Sequence, residues 1–418
     1  MQVPLEIVGQ IIAYVGDSSS LRACSLVDRA WLPFTRELLY NQVTFASSEE
    51  GRAKIEFFEQ SPHLAPYVRT LSVIYRRSPE IASVMSRLPT IFPNTEDLLF
   101  MGQPRVQWTS LPSELTESFR QLVRSKPLKC LRLTWFRFPE DPDALGDLLR
   151  SCSTTLETLR LQNLYNTVDI TTIDPDEAPE ISFPQLSNLA LASVAASSPT
   201  SSYRLVTPSL KFLSWESNIT SLPYLINILP RSSMSTVTTF ELSLSLDPSQ
   251  DNPYAAPLVP PGFFSDAWCL PGVRSLGIAM RYPTFDNDNP LDTALSCVMR
   301  CLEQIPNPDV IKTINIKLET EAFRESPSWK LLDAVLLDIH THGSLKAVFI
   351  NPSPPNSWLP RFGSSGILKA SDAANCMPLK GQFYTDLMFL MFVVWHPCSA
   401  STAARSFILK TQKVVTLR

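Results

Sequence analysis

The chain has 418 residues, 44% hydrophobic and 18% charged, with a mean hydropathy of +0.02; that is enough apolar surface to exclude wholesale disorder and enough length for roughly two to three domains. Lys and Arg total 36 against 40 Asp and Glu, a formal charge of -4, which excludes a broad electrostatic attraction for nucleic-acid phosphates or anionic lipid. Proline outnumbers glycine 36 to 12, so fixed turns punctuate the chain and a glycine-rich phosphate cradle has little material to form from.

Residues 4 to 40 read as three short helices. The first runs from Pro4 to about Val15 and sets Ile7, Val8, Ile11, Ile12 and Val15 on one stripe. Asp17 to Ser20 supply capping oxygens for a second helix bearing Leu21, Cys24, Leu26 and Val27, and Pro33 suits the first turn of a third. A module this small buries too little surface to be secure alone. A stripe wider than its own core requires implies either a partner or a docked domain.

Pro4-Leu5-Glu6-Ile7, Ile11, Val15, Leu21, Cys24-Ser25-Leu26-Val27, Arg29-Ala30-Trp31 and Leu38-Leu39-Tyr40 together resemble an F-box, and are most similar to its fungal version. Val3 stands where that family usually has Leu, and Asp28 where Cys is common; the carboxylate is tolerable there if it faces water. The resemblance spans about a tenth of the chain. It implies a non-catalytic substrate-recognition adaptor of a cullin-RING (SCF-type) ubiquitin ligase, docked on the Skp-family adaptor and through it on a cullin. The rest of the chain would hold a protein substrate. By position, Pro4, Leu5, Ile7, Ile11, Leu21, Val27 and Trp31 would bury against the adaptor or brace the face that does. Read without the resemblance, the same helices could simply cap the domain that follows, as terminal units do in repeat proteins.

From residue 68 a unit recurs ten times: apolar-x-x-apolar-x-apolar, beginning with Val68/Leu71/Val73 and ending with Leu345/Val348/Ile350. The mean spacing is about 31 residues, and one instance, Thr95/Leu98/Phe100, has a weak first position. Two apolar residues set two apart describe a short strand with one buried face. Helical patterns fill several intervals, at 80–88, 112–124, 142–152, 222–229, 292–304 and 328–340. No single unit can bury its apolar face alone, whereas stacked units share a continuous core. The units resemble divergent leucine-rich repeats, so the expected fold is α/β: an all-α F-box-like module at 1–45, a leucine-rich-repeat-like solenoid at 46–353, and a linker with a tail at 354–418. A doubly wound sheet is the rival for the repeats, but Gly-x-Gly-x-x-Gly is absent.

In such a solenoid the residues alternating with the buried apolars face outward along the concave side. They include Arg132, Thr134, Arg160, Gln162, Ser214, Glu216, Glu241, Asn315 and Lys317, a mixture of both charges that suits a protein or peptide substrate better than a polyanion. Two insertions, acidic Thr167 to Ser182 and proline-rich Asp247 to Asp266, read as exposed loops. Asn351 to Ser365 reads as a Pro- and Ser-rich linker, and Thr385 to His396 as a compact apolar segment.

Catalytic constellations are poor. There are four His, with no nucleophile elbow, P-loop or His-Glu-x-x-His motif, so no catalytic residue, metal or cofactor is expected. Cys297 and Cys301 lie four apart on a predicted helix without a second ligand pair, and read as buried thiols. The eight Cys lack the density of a disulfide scaffold, and the N-terminus lacks a signal-peptide pattern. The apolar run Leu387 to Trp395 is about half of what spans a bilayer. A cytoplasmic or nuclear location, away from membranes and nucleic acid, is the expectation.

Overall fold

A computed structural model describes residues 4–46, 48–75, 79–102, 106–124, 128–138, 142–165, 178–192, 203–217, 225, 228–245, 270–281, 290–305, 308–319, 325–352, 354–355, 357–360, 365 and 367–369. The chain divides into two units, Met1–Leu368 and Lys369–Arg418, and almost all described residues belong to the first. The insertion at 247–266 and the apolar segment at 385–396 lie outside the described residues.

The N-terminal segment forms α1 (Leu5–Ala13), α2 (Ser18–Val27) and α3 (Leu32–Tyr40). Asp17 caps α2, its Oδ1 accepting from the Ser20 N–H at 2.8 Å and the Ser19 hydroxyl at 2.6 Å; these donors hold its carboxyl at about 2, below the usual carboxylate range. Asp28 is exposed and accepts from the Ala30 N–H at 2.9 Å. It therefore caps the short turn Arg29–Trp31 in water rather than burying a charge. Gly9 allows α1 to lie close to α3, because a Cβ there would sit 2.9 Å from the Phe34 ring.

The rest is a mixed α/β arrangement around a large parallel sheet. Its strands are β1 (Gln42–Phe45), β2 (Thr70–Ile74), β3 (Asp97–Met101), β4 (Cys130–Arg137), β5 (Thr158–Tyr165), β7 (Asn188–Ala192), β9 (Phe212–Ser217), β10 (Thr239–Ser245), β11 (Ser275–Arg281), β12 (Thr313–Glu319) and β13 (Ala347–Asn351), with the two-residue β14 (Leu368–Lys369) at the end. They neighbour one another in chain order, β1-β2-β3-β4-β5-β7-β9-β10-β11-β12-β13-β14. A doubly wound sheet must reverse its strand order at a switch point, and this order never reverses. Most intervals carry a helix: α4 (Ser48–Gln60), α5 (Pro79–Ile91), α6 (Ser113–Arg124), α7 (Pro142–Cys152), α8 (Arg231–Met234), α9 (Pro290–Glu303) and α10 (Ser328–His342). The helical pattern at 222–229 falls mostly outside the described residues; Leu225 and Ile228 are helical.

All ten sequence units fall on strands in one register. Leu71, Leu98, Leu131, Leu159, Leu189, Leu213, Phe240, Leu276, Ile314 and Val348 are successive partners across the sheet, and the apolar residues two positions later form a second row. Every member of both rows is buried. At roughly 1.5–3 kcal/mol for each large side chain taken out of water, these rows are a principal source of the sheet's cohesion. The weak first position, Thr95, is also buried, and its hydroxyl donates to the Phe92 carbonyl at 3.2 Å.

Three features depart from the sequence reading. The sheet begins inside the segment assigned to the N-terminal module, because Val43 and Phe45 of β1 pair with Leu71 and Val73. The acidic insertion is not wholly a loop: its end forms β6 (Glu180–Ser182), which pairs in parallel with β8 (Arg204–Val206) and buries Ile181. The Pro- and Ser-rich segment after Asn351 is not a free linker, since Leu359 and Ile367 join the main core and Trp358 packs against Trp329 with ring centroids 5.8 Å apart.

Trp135 and Asn163, at matching places on β4 and β5, adopt φ of 65° and 51°. Left-handed backbone breaks the two-residue alternation, so Phe136 and Leu164 turn back into the core. Gly102 lies against this kink. Its N–H donates to the Thr134 carbonyl at 2.8 Å, and a Cβ there would be 2.4 Å from the Trp135 carbonyl oxygen. Gly102→Ala should therefore destabilise the fold by about 1–3 kcal/mol, measurable as a lower urea midpoint with an unchanged slope.

Candidate interaction surfaces

The N-terminal helices split their apolar residues in two. Val8, Ile12 and Leu21 form a small core, closed by Val15, Trp31, Phe34 and Leu39, and separate from the main core. Leu5, Ile7, Ile11 and Val27 remain 49%, 44%, 55% and 65% exposed, joined by Tyr14, Leu26 and Leu38; Pro4 is exposed as well. Along α1 and the turn that follows it, buried Val8 and Ile12 with half-buried Val15, and the exposed residues 7, 11 and 14, form adjacent stripes at helical spacing. Of the seven positions named from sequence, Leu21 and Trp31 thus brace the module internally, and five face outward. The module also touches the array, because Tyr40 packs on the main core and lies beside Phe57 and Phe58 with ring centroids 6.1 and 6.2 Å away.

The outward strand residues form rows as regular as the buried ones. One row passes through Arg132, Arg160, Ala190, Ser214, Glu241, Gly277 and Asn315. The next passes through Thr134, Gln162, Ala192, Glu216, Ser243, Ala279 and Lys317. All nine residues named from sequence therefore lie on one face, in two adjacent rows. They are not equally available. Thr134 is buried, and Arg132 is half-buried with its guanidinium against the Asp97 carboxylate, at 2.6 Å from Nη2 and 3.3 Å from Nε. Such a paired, partly desolvated side chain organises the face rather than meeting a ligand as a free cation.

Glu241 is the most perturbed member. Its side chain lies over Gly277, where a Cβ would come 3.0 Å from Glu241 Cγ. Its Oε2 is buried without a hydrogen-bond partner, as is Ser243 Oγ two residues along the strand. Burial pushes the Glu241 carboxyl up to about 7, against the opposing pull of Arg160 and Lys317. Sequence pattern identified the position but carried no signal of this state.

Cys297 and Cys301 are buried, and desolvation raises both thiols, Cys297 to about 11. His340 Nδ1 lies 3.1 Å from the Leu345 carbonyl, and His342 Nδ1 lies 3.0 Å from the Asp338 carbonyl. Among the described residues no cluster of His, Cys, Asp and Glu is arranged to hold a metal ion, and no helix is long and apolar enough to cross a membrane. No protein-family model matches this sequence, and a search of curated proteins returns no match.

Proposed function

We propose that the chain is an F-box-like substrate adaptor, its N-terminal helices docking on the Skp-family adaptor of a cullin-RING ubiquitin ligase and its strand array, a leucine-rich-repeat-like solenoid, holding a protein substrate. One observation carries this reading: the helices complete a small core of their own and still leave Leu5, Ile7, Ile11, Leu26 and Val27 outside it. Apolar side chains clustered on so small a module and not used by its fold mark an interaction site. The resemblance of the same residues to an F-box names the partner. The chain-ordered parallel strands support the solenoid, because one strand per unit, never reordered, is how stacked repeats share a core. In that role the protein performs no chemistry and contributes proximity and orientation.

The packing of Tyr40 on the main core favours a second reading, in which the helices cap a protein-interaction scaffold unconnected to ubiquitination. Co-purification separates the two. The full chain should recover the Skp-family adaptor, and Ile7→Asp/Ile11→Asp should weaken that binding at least about 100-fold by placing two charges in an apolar interface. A wild-type chain that recovers no adaptor, or a double variant that recovers it unchanged, would leave the scaffold reading.

A further inference from the structure

Where each strand begins, the residue just before it forms another row, fixed by backbone hydrogen bonds from each strand to the one before. The Thr239 N–H donates to the Lys211 carbonyl, Ser275 to Thr238, Thr313 to Arg274 and Ala347 to Lys312, at 3.0 to 3.2 Å. Earlier strands extend the same row through Arg69, Glu96, Lys129 and Glu157. In that first stretch basic and acidic residues alternate and pair, Arg69 with Glu96 at 3.1 Å and Lys129 with Glu96 at 2.9 Å. The later stretch reads Lys211, Thr238, Arg274, Lys312, Lys346, with all five residues exposed. None of its four cations forms an ion pair among the described residues.

Helix C-termini return the chain to this edge and favour cations there. That cannot account for the contrast, since α5 and α7 end beside the alternating stretch just as α9 and α10 end beside the basic one. Among the described residues the acids on the segments leading into this edge are few: Asp309 is exposed in the turn Pro308–Val310, and Asp338, near the end of α10, has His342 Nδ1 3.1 Å from its carboxylate. Four cations in line on a chain of net charge -4 are therefore a local excess of one sign.

We propose that the edge formed by Lys211, Arg274, Lys312 and Lys346 docks an extended acidic polypeptide segment, one carrying Asp or Glu at alternate positions. Neighbouring strands are about 4.8 Å apart, so the four cations span about 19 Å, and same-side residues of an extended chain recur every ~6.7 Å. Flexible Lys and Arg stems can match those two spacings. The next residue on each of the middle strands is Thr239, Ser275 or Thr313, half-buried hydroxyls beside the cations that can meet a peptide backbone. A single line of charge beside hydroxyls suits a peptide, whereas a nucleic acid calls for a broader basic field and stacking aromatics. The proposal does not depend on docking to a Skp-family adaptor, which concerns the N-terminal helices.

The test is fluorescence anisotropy of a labelled peptide alternating Glu and Ser, titrated with the full chain. Wild type should bind it, with affinity falling as salt is added. Arg274→Glu/Lys312→Glu/Lys346→Glu should bind at least about tenfold more weakly, Lys312→Gln/Lys346→Gln should lie between, and Lys330→Glu, the same charge change at the start of α10, should match wild type. Thermal melts establish that each variant is folded. Failure of wild type to bind, equal binding by the triple variant, or binding of phosphatidylserine vesicles or single-stranded RNA in place of the peptide would each overturn the proposal. Adaptor co-purification by the triple variant should be unchanged, so either idea can fail without the other.

Discussion

Leu21→Asp should destroy the N-terminal module, whereas Ile11→Asp should leave it folded. Leu21 is 6% exposed and packs with Val8 and Ile12 in a core that, among the described residues, holds those three buried apolar side chains. A carboxylate there has no cationic partner in that core, and an uncompensated buried charge costs about 3 kcal/mol or more. So small a core lacks that reserve, so the three helices should become protease-sensitive between Ala13 and Tyr40 while the strand array, with its separate core, keeps its own melting transition. Ile11 is 55% exposed, and a charge on that face should shift the melt by no more than about 0.5 kcal/mol. Limited proteolysis with calorimetry reads both effects. If Ile11→Asp exposed the helices to protease as Leu21→Asp does, the outer stripe would be part of the fold and unavailable to a partner.

That contrast shows what sequence spacing can and cannot resolve. Periodicity placed Ile7, Val8, Ile11, Ile12 and Val15 on one side of a helix, but it cannot say which edge of a wide stripe turns inward. That is decided by Phe34 and Leu39 arriving from α3, a tertiary event with no local signature. The strands were legible because each needs just three buried positions at fixed spacing, and all ten units take up the register their pattern implies. Tyr40-x-x-Val43-x-Phe45 has the same spacing, yet β1 was hidden because Tyr40 also completes the F-box resemblance. Helix α4 was missed because Ser48–Gln60 is mostly polar, and it folds around Gly51, Ile55 and Phe58 with Lys54 paired to Glu50 one turn earlier. Strict alternation also failed at Trp135 and Asn163, where left-handed backbone reverses the side a residue faces.

The strand face makes its strongest claim through Glu241, and Glu241→Gln should stabilise the fold above neutral pH. The carboxyl titrates near 7 in the folded protein instead of at the ordinary 4.5, chiefly because burial disfavours its charge. Between those values the folded chain holds a proton that the unfolded chain has released, so stability falls as pH rises from about 4.5 through 7 and is lowest above that window. The shift corresponds to as much as ~3 kcal/mol, a net figure in which the opposing pull of Arg160 and Lys317 is already included. Glutamine keeps the shape over Gly277 and removes the titration. The variant should therefore lose this part of the slope in a series of urea melts from acidic to alkaline pH, and should gain stability over wild type at the alkaline end. A substrate that donates a hydrogen bond or a cation to Glu241 Oε2 would lower the same carboxyl, and its binding to wild type would then release a proton near neutral pH that the glutamine variant cannot release. Parallel slopes for the two proteins would mean that Glu241 is ionised in ordinary fashion and that this part of the face carries no stored cost for a ligand to relieve.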